Sequence, residues 1–138
     1  MSNLYPAPLR PLTHDAPRRI VARYMKRDPA DLLPLSPAMF HVLVALADGD
    51  IHGYAIMKDV EQLTGGAVRL STGTLYGIIK RLLADGLIRE TGVRATGGDE
   101  RRRSYALTPF GKDVARAEAA RLEQTLAIAR RKPLFRES

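Results

Sequence analysis

Read for the spacing of its apolar side chains, the chain has its clearest element in residues 71–89. Leu75, Ile78, Ile79 and Leu82 recur at i, i+3, i+4 and i+7, which is one face of an α-helix. Ser71 or Thr72 can accept the first free N–H groups, and Asp85-Gly86 stops the helix, glycine suiting the left-handed position after a last turn. Leu87 and Ile88 then begin an apolar, β-branched run, so the helix hands over directly to a strand. Gly73, Gly77, Lys80 and Ala84 fall opposite the apolar stripe, with Arg81 on one flank and Tyr76 on the other. A glycine inside a helix costs about 1 kcal/mol against alanine. Two of them beside Lys and Arg predict a face that a polyanion approaches closely. The competing reading is a solvated helix whose glycines are incidental or serve a tight helix crossing.

The same spacing lays out the rest. Residues 1–14 hold Pro6, Pro8 and Pro11 without periodicity and are expected to form a disordered arm. From the capping residue Asp15 to Pro29, Ile20, Val21, Tyr24 and Met25 make an apolar stripe among five basic residues. That is a short amphipathic helix, expected to pack on a partner helix because such helices are marginal alone. Ser36-Pro37 reads as a cap and a first helical position. Residues 38–47 are apolar nearly all round, which marks a buried helix with His41 at its edge. A second helix over 54–64 closes at Gly65-Gly66, with Ile56, Val60 and Leu63 inward and Tyr54, Lys58 and Glu61 outward. Residues 67–70 are short and β-prone, a candidate first strand.

Beyond the central helix, residues 87–93 read as a strand, 92–99 as a glycine-rich loop and 101–107 as the returning strand. In that strand Tyr105 and Leu107 face one side and Arg102 and Ser104 the other. Thr108-Pro109 caps a final helix to about Arg131. Along it Ala115, Ala119, Leu122, Leu126 and Ala129 repeat by four and three, an a/d seam about two heptads long. With Ile20, Val21 and Tyr24 it predicts a dimerisation surface, while Phe110 and Val114 pack back on the domain. The fold class is therefore mainly α with a small β-hairpin. A winged helix-turn-helix over 36–108 lies between an N-terminal helix and linker (15–35) and a C-terminal dimerisation helix and tail (109–138). In that fold the third core helix enters the major groove and the hairpin reaches the backbone or minor groove.

Charge sharpens this picture. Of the net +7, residues 1–35 carry +3, 36–86 carry −1, 87–108 carry +2 and 109–138 carry +3. A near-neutral centre with basic flanks is the electrostatic footprint of a nucleic-acid binder. With no cysteine, there is no disulfide framework, thiolate zinc site or thiol nucleophile. No apolar run approaches the ~18 residues of a membrane span, and the first residues lack a signal peptide's apolar core, so a cytoplasmic protein away from membranes is expected. His14, His41 and His52 are scattered, and no glycine motif cradles phosphate, which leaves no catalytic constellation, metal site or cofactor to assign.

The expected DNA contacts follow from the helix and hairpin. Thr72, Gly73, Thr74, Tyr76 and Lys80 face the groove, Ser71 stands at the helix entrance, and Gly77 gives clearance. Lys80 can reach guanine O6 or N7. Tyr54, Lys58 and Arg81 hold backbone phosphates, and Arg101, Arg102 and Arg103 charge the wing. The alternative function is a winged helix that binds protein, which needs neither a basic wing nor a glycine-lined outer face.

Several motifs in unbroken order over about residues 35–115 resemble the PadR family of bacterial transcription regulators. They are His52-Gly53-Tyr54-Ala55-Ile56, Ser71-Thr72-Gly73-Thr74-Leu75-Tyr76, Lys80-Arg81-Leu82, Gly86-Leu87-Ile88, Arg102-Arg103-Ser104-Tyr105 and Leu107-Thr108-Pro109-Phe110-Gly111. Thr72 stands where a proline is common, and Ser104 where a second aromatic or Lys is frequent; both departures bear on base preference. The resemblance implies a homodimeric repressor on an inverted-repeat promoter site, released by a small-molecule effector or another signal. It also implies the compact subgroup, with a single helix after the wing.

Overall fold

A computed structural model describes residues 27–92 and 103–135. The expected disordered arm and most of the N-terminal helix, with Ile20, Val21 and Tyr24, lie outside the described residues, as do Arg101, Arg102 and most of the hairpin loop. A 3-10 turn, Pro29–Leu32, comes first, its entry capped by Asp28, which accepts from the Ala30 N–H at 2.9 Å.

Four helices and three strands follow: α1 (Pro37–Ala45), β1 (Ile51–His52), α2 (Gly53–Leu63), α3 (Thr72–Ala84), β2 (Ile88–Thr91), β3 (Ser104–Leu107) and α4 (Pro109–Arg130). Three of the helices start where capping chemistry places them. Ser36 Oγ accepts from the Met39 N–H at 3.1 Å and Ser71 Oγ from the Thr74 N–H at 3.1 Å. Thr108 Oγ1 accepts from the Gly111 N–H at 2.9 Å and also donates to the Gly86 carbonyl at 2.7 Å. Each such cap contributes about 1 kcal/mol, and Thr108 ties the end of the α3 turn to the start of α4.

The core forms where the apolar faces of α1, α2 and α3 meet the sheet. Val42 and Leu43 of α1, Ile56 and Val60 of α2, and Leu75 and Leu82 of α3 are fully buried. Truncating any of the leucines to alanine costs roughly 2–5 kcal/mol in such a setting. Leu63, read as inward, is 60% exposed at the far end of α2; the core ends one turn earlier, at Val60.

The first strand is not where residues 67–70 place it. That segment is irregular, because Thr64 Oγ1 takes the Val68 N–H at 3.0 Å and the chain runs straight on to the Ser71 cap. The edge strand is β1, ahead of α2, so the order is helix, short strand, helix, helix. The three strands form one antiparallel sheet in the order β1-β3-β2. Ile51 pairs with Tyr105 and His52 with Ser104, while on the other side Glu90 pairs with Tyr105 and Thr91 with Ser104. As the central strand, β3 buries both Tyr105 and Ala106, on opposite faces.

Helix α4 leaves the sheet at a backbone contact. A Cβ at Gly111 would lie 1.9 Å from the Leu87 carbonyl oxygen, so only glycine permits this approach. Val114, one turn on, is fully buried, and Glu118, another turn on, is 2% exposed. Beyond Glu118 the helix runs out into solvent, with Leu122, Leu126 and Ile128 41–51% exposed. Among the described residues no helix is long and apolar enough to cross a membrane.

Candidate nucleic-acid interface

The outer face of α3 is built from small and hydroxylic residues. Ser71, Thr72, Gly73, Thr74, Gly77, Lys80 and Arg81 are all exposed along it. A Cβ added at Gly73 or at Gly77 would meet nothing within 4 Å. Among the described residues no helix crossing calls for these glycines, although each costs about 1 kcal/mol of helix stability.

The hydroxyls at the helix entrance are ordered by one another. Ser71 Oγ accepts the Thr74 N–H and donates to Thr74 Oγ1 at 3.0 Å. That commits the Ser71 hydroxyl to the cap and leaves the exposed Thr74 hydroxyl its own proton to donate to an acceptor such as a phosphate or base oxygen. Lys80 makes no ion pair among the described residues. Arg81 sits 3.6 Å from Asp85 across an exposed i,i+4 pair, a contact weak enough to be exchanged for a phosphate.

Tyr76 is placed differently from its neighbours. It is half-buried, its ring laid against the first residue of α2: a Cβ at Gly53 would sit 2.5 Å from the Tyr76 hydroxyl oxygen. The structure thus brings Tyr76 to the α2–α3 crossing. On α2 itself Tyr54 is 47% exposed, and the Lys58 ammonium lies 5.6 Å from its ring centroid. This cation–π contact gathers the two into one exposed patch.

The described part of the wing carries a brace. Arg103 Nη1 is 3.1 Å from Glu90 Oε2, joining β3 to β2 across the hairpin. Part of the Arg103 charge is therefore spent within the wing, and Arg101 and Arg102 lie outside the described residues.

On α4, Ala115 is half-buried against the core, Ala119, Leu122 and Leu126 are exposed, and Ala129 is half-buried. The a/d spacing did not include Ile128, which adds to the exposed apolar surface at 51%. The residue that the sequence reading missed altogether is Glu118. Its carboxylate takes two hydrogen bonds from Arg121, at 2.7 and 2.9 Å. These bonds hold it below the usual carboxylate range, burial pushes the other way, and the Leu35 N–H adds a further lowering bond. A heptad reading places position 118 outside the seam, and no signal in it marks burial.

Comparison with known proteins completes the picture. The chain is 43% identical over 82 residues to an uncharacterised 37.1 kDa protein of a Streptomyces fradiae transposon; the match covers 59% of this chain and 22% of that protein. It is 34% identical over 84 residues to a transcriptional regulator of Mycobacterium tuberculosis, covering 61% of this chain and 74% of the regulator. The chain therefore spans less than a quarter of the first relative and about three quarters of the second. Its fold is that of Bacillus subtilis PadR in complex with operator DNA, with a TM-score of 0.52, 22% identity, 61% of this chain and 47% of that one covered. The profile of the transcriptional regulator PadR-like family matches residues 42–117, from α1 through the wing to the buried turns of α4, and this chain belongs to that family.

Proposed function

We propose that this chain is a homodimeric transcriptional repressor that reads an inverted-repeat promoter site with α3 and the wing. The observation that carries this reading is the outer face of α3, where two glycines leave space that nothing among the described residues fills. A groove floor fills it. Membership of a transcriptional-regulator family supports DNA as the partner, and the Bacillus relative of the same fold is a complex with operator DNA. Thr72, Thr74 and Lys80 then meet base edges or phosphates, Ser71 orients Thr74, and Gly73 and Gly77 give clearance. Tyr54, Lys58 and Arg81 hold the backbone, with Arg101, Arg102 and Arg103 on the wing. Tyr76 acts from the α2–α3 crossing by setting the angle of α3.

The open face of α4, through Leu122 and Leu126, joins two protomers together with the N-terminal helix. Their α3 helices then stand about 34–36 Å apart, one turn of DNA. Release by an effector is part of the same proposal, with a pocket between the N-terminal and C-terminal helices lined by Tyr24, Met25 and Phe110. The Arg27 guanidinium lies 4.5 Å from the Phe110 ring centroid, so a flat apolar effector seated there competes with that arginine.

The experiment is selection of genomic duplex fragments by the protein, followed by titration of the selected duplex across salt concentrations. A selected inverted repeat, bound with a log K against log salt slope that flattens by about 0.9 for each phosphate contact removed, is the expected result. An Arg101/Arg102/Arg103→Ala variant with an unchanged slope removes the wing from the mechanism. Failure to bind even random duplex at low salt leaves the protein-interaction reading instead.

A further inference from the structure

We propose that His52 is a phosphate contact at the base of the wing whose strength is set by its protonation, an inference that rests on the DNA-binding reading above. His52 stands immediately before α2, in the position of a capping residue, yet its side chain caps nothing. Instead its Nδ1 lies 3.1 Å from Ser104 Oγ. Strand register explains the pairing. His52 is opposite Ser104, and Ser104 is opposite Thr91, so the three side chains form one row on one face of the sheet. This is the last paired row towards the hairpin tip.

The imidazole is thus anchored through one nitrogen, and the residue is exposed. It precedes the exposed Tyr54 by two residues and is paired with β3, the strand that follows the wing arginines, so it lies between the α2 patch and the wing. Every other proposed phosphate contact lies to one side or the other of this point.

The charges around it come from three segments. On β2, Arg89 is exposed on the same face, two residue pairs further from the tip, and Glu90 is on the opposite face. Immediately before β3, Arg103 is bound to Glu90. Asp50 lies exposed two residues before His52, and Tyr54 two residues after it. None of them forms an ion pair with His52 among the described residues, and the residue is exposed.

The chemistry then has two states. In the neutral ring the Ser104 hydroxyl donates to Nδ1, and Nε2–H can give one ordinary hydrogen bond. In the charged ring Nδ1–H donates to Ser104 Oγ, and Nε2–H gives a charge-assisted bond to phosphate, roughly twice as strong. Protonation of the ring therefore strengthens the phosphate contact, so operator affinity rises as the pH falls.

The test uses the full chain and a duplex selected as above, with binding followed by fluorescence anisotropy near pH 6 and near pH 8 over a series of KCl concentrations. Wild type is expected to bind about ten-fold more tightly at the lower pH, the gain of one charged hydrogen bond. Its log–log salt slope is expected to steepen by about 0.9 per engaged His52. His52→Gln, which keeps an amide donor without a titrating charge, is expected to show neither change, while His14 and His41 remain as an internal control. Ser104→Ala removes the anchor and is expected to shrink the pH effect without abolishing binding. Equal pH dependence in wild type and His52→Gln, or pH-independent binding by wild type, overturns the proposal and leaves the DNA reading intact. Absence of duplex binding at both pH values overturns both together.

Discussion

The Tyr76 ring is packed against the backbone of Gly53 so closely that any β-carbon at position 53 would overlap its hydroxyl, at 2.5 Å, and crowd two ring carbons, at 3.1 Å. One glycine and one aromatic therefore set how near α2 and α3 approach. Gly53→Ala is expected to destabilise the fold by about 1–3 kcal/mol, the usual range for overpacking. Tyr76→Phe removes the nearest overlapping atom, so the double variant should recover part of that loss as a coupling energy in a urea-denaturation cycle. Strict additivity of the two changes would show that the helices do not meet through this pair.

The glycines of α3 and α4 make opposite predictions. At Gly77 a methyl group enters open space, so Gly77→Ala should raise stability by about 0.5–1 kcal/mol through helix propensity. Gly77→Leu should also fold, while operator affinity falls in both variants, and more in the second. At Gly111 the added carbon lies 1.9 Å from a backbone oxygen. Backbone cannot move aside as a side-chain tip does, so Gly111→Ala should cost more than about 3 kcal/mol and lower the melting temperature sharply. Thermal melts alongside anisotropy titrations separate the cases. Unchanged operator affinity in Gly77→Leu would remove groove clearance as the reason for the smooth face.

Much of this was legible from local chemistry. Ser36, Ser71 and Thr108 announce three helix starts because a cap is a property of four consecutive residues. The Leu75, Ile79, Leu82 face follows from period alone. The two-residue strand β1 carries no period, so propensity pointed to residues 67–70, where the Thr64 hydroxyl takes the Val68 N–H. Gly53–Tyr76 and Gly111–Leu87 join residues 23 and 24 positions apart in the chain, and a pattern within one helix cannot report them. The oddity of Gly73 and Gly77 was visible at once. Choosing between an internal crossing and an external partner required knowing what surrounds each α-carbon.

Glu118 ties the outgoing helix to the entrance of α1, since Leu35 immediately precedes the Ser36 cap. Its carboxyl is held low in the folded chain, chiefly by Arg121. A lowered folded value means that the stabilisation is complete above the ordinary carboxylate value of 4.5 and is lost as the pH falls through the lower folded value. Wild-type stability should therefore decline in acid more steeply than that of Glu118→Gln. Glu118→Ala at neutral pH leaves the Leu35 N–H without its carboxylate and should cost about 1–3 kcal/mol. Urea midpoints measured from neutral pH to about pH 3 decide it. Parallel acid profiles for wild type and Glu118→Gln would contradict the linkage.

Beyond Glu118, no core among the described residues covers α4. Leu122 and Leu126 are 41% and 44% exposed, one heptad face of a helix whose N-terminal half is pinned by Gly111, Val114 and Glu118. Because the anchor and the open face lie on different turns, they can be separated by mutation. Leu122→Asp with Leu126→Asp should leave the melting of the winged core nearly unchanged in the monomer, while sedimentation shifts from dimer to monomer at micromolar protein. Specific operator affinity should fall with it, because a single protomer engages one half-site and loses the gain from linking two. Retention of a dimer by this variant would move the interface off α4. A wild-type monomer with full operator affinity would remove the two-fold model of recognition.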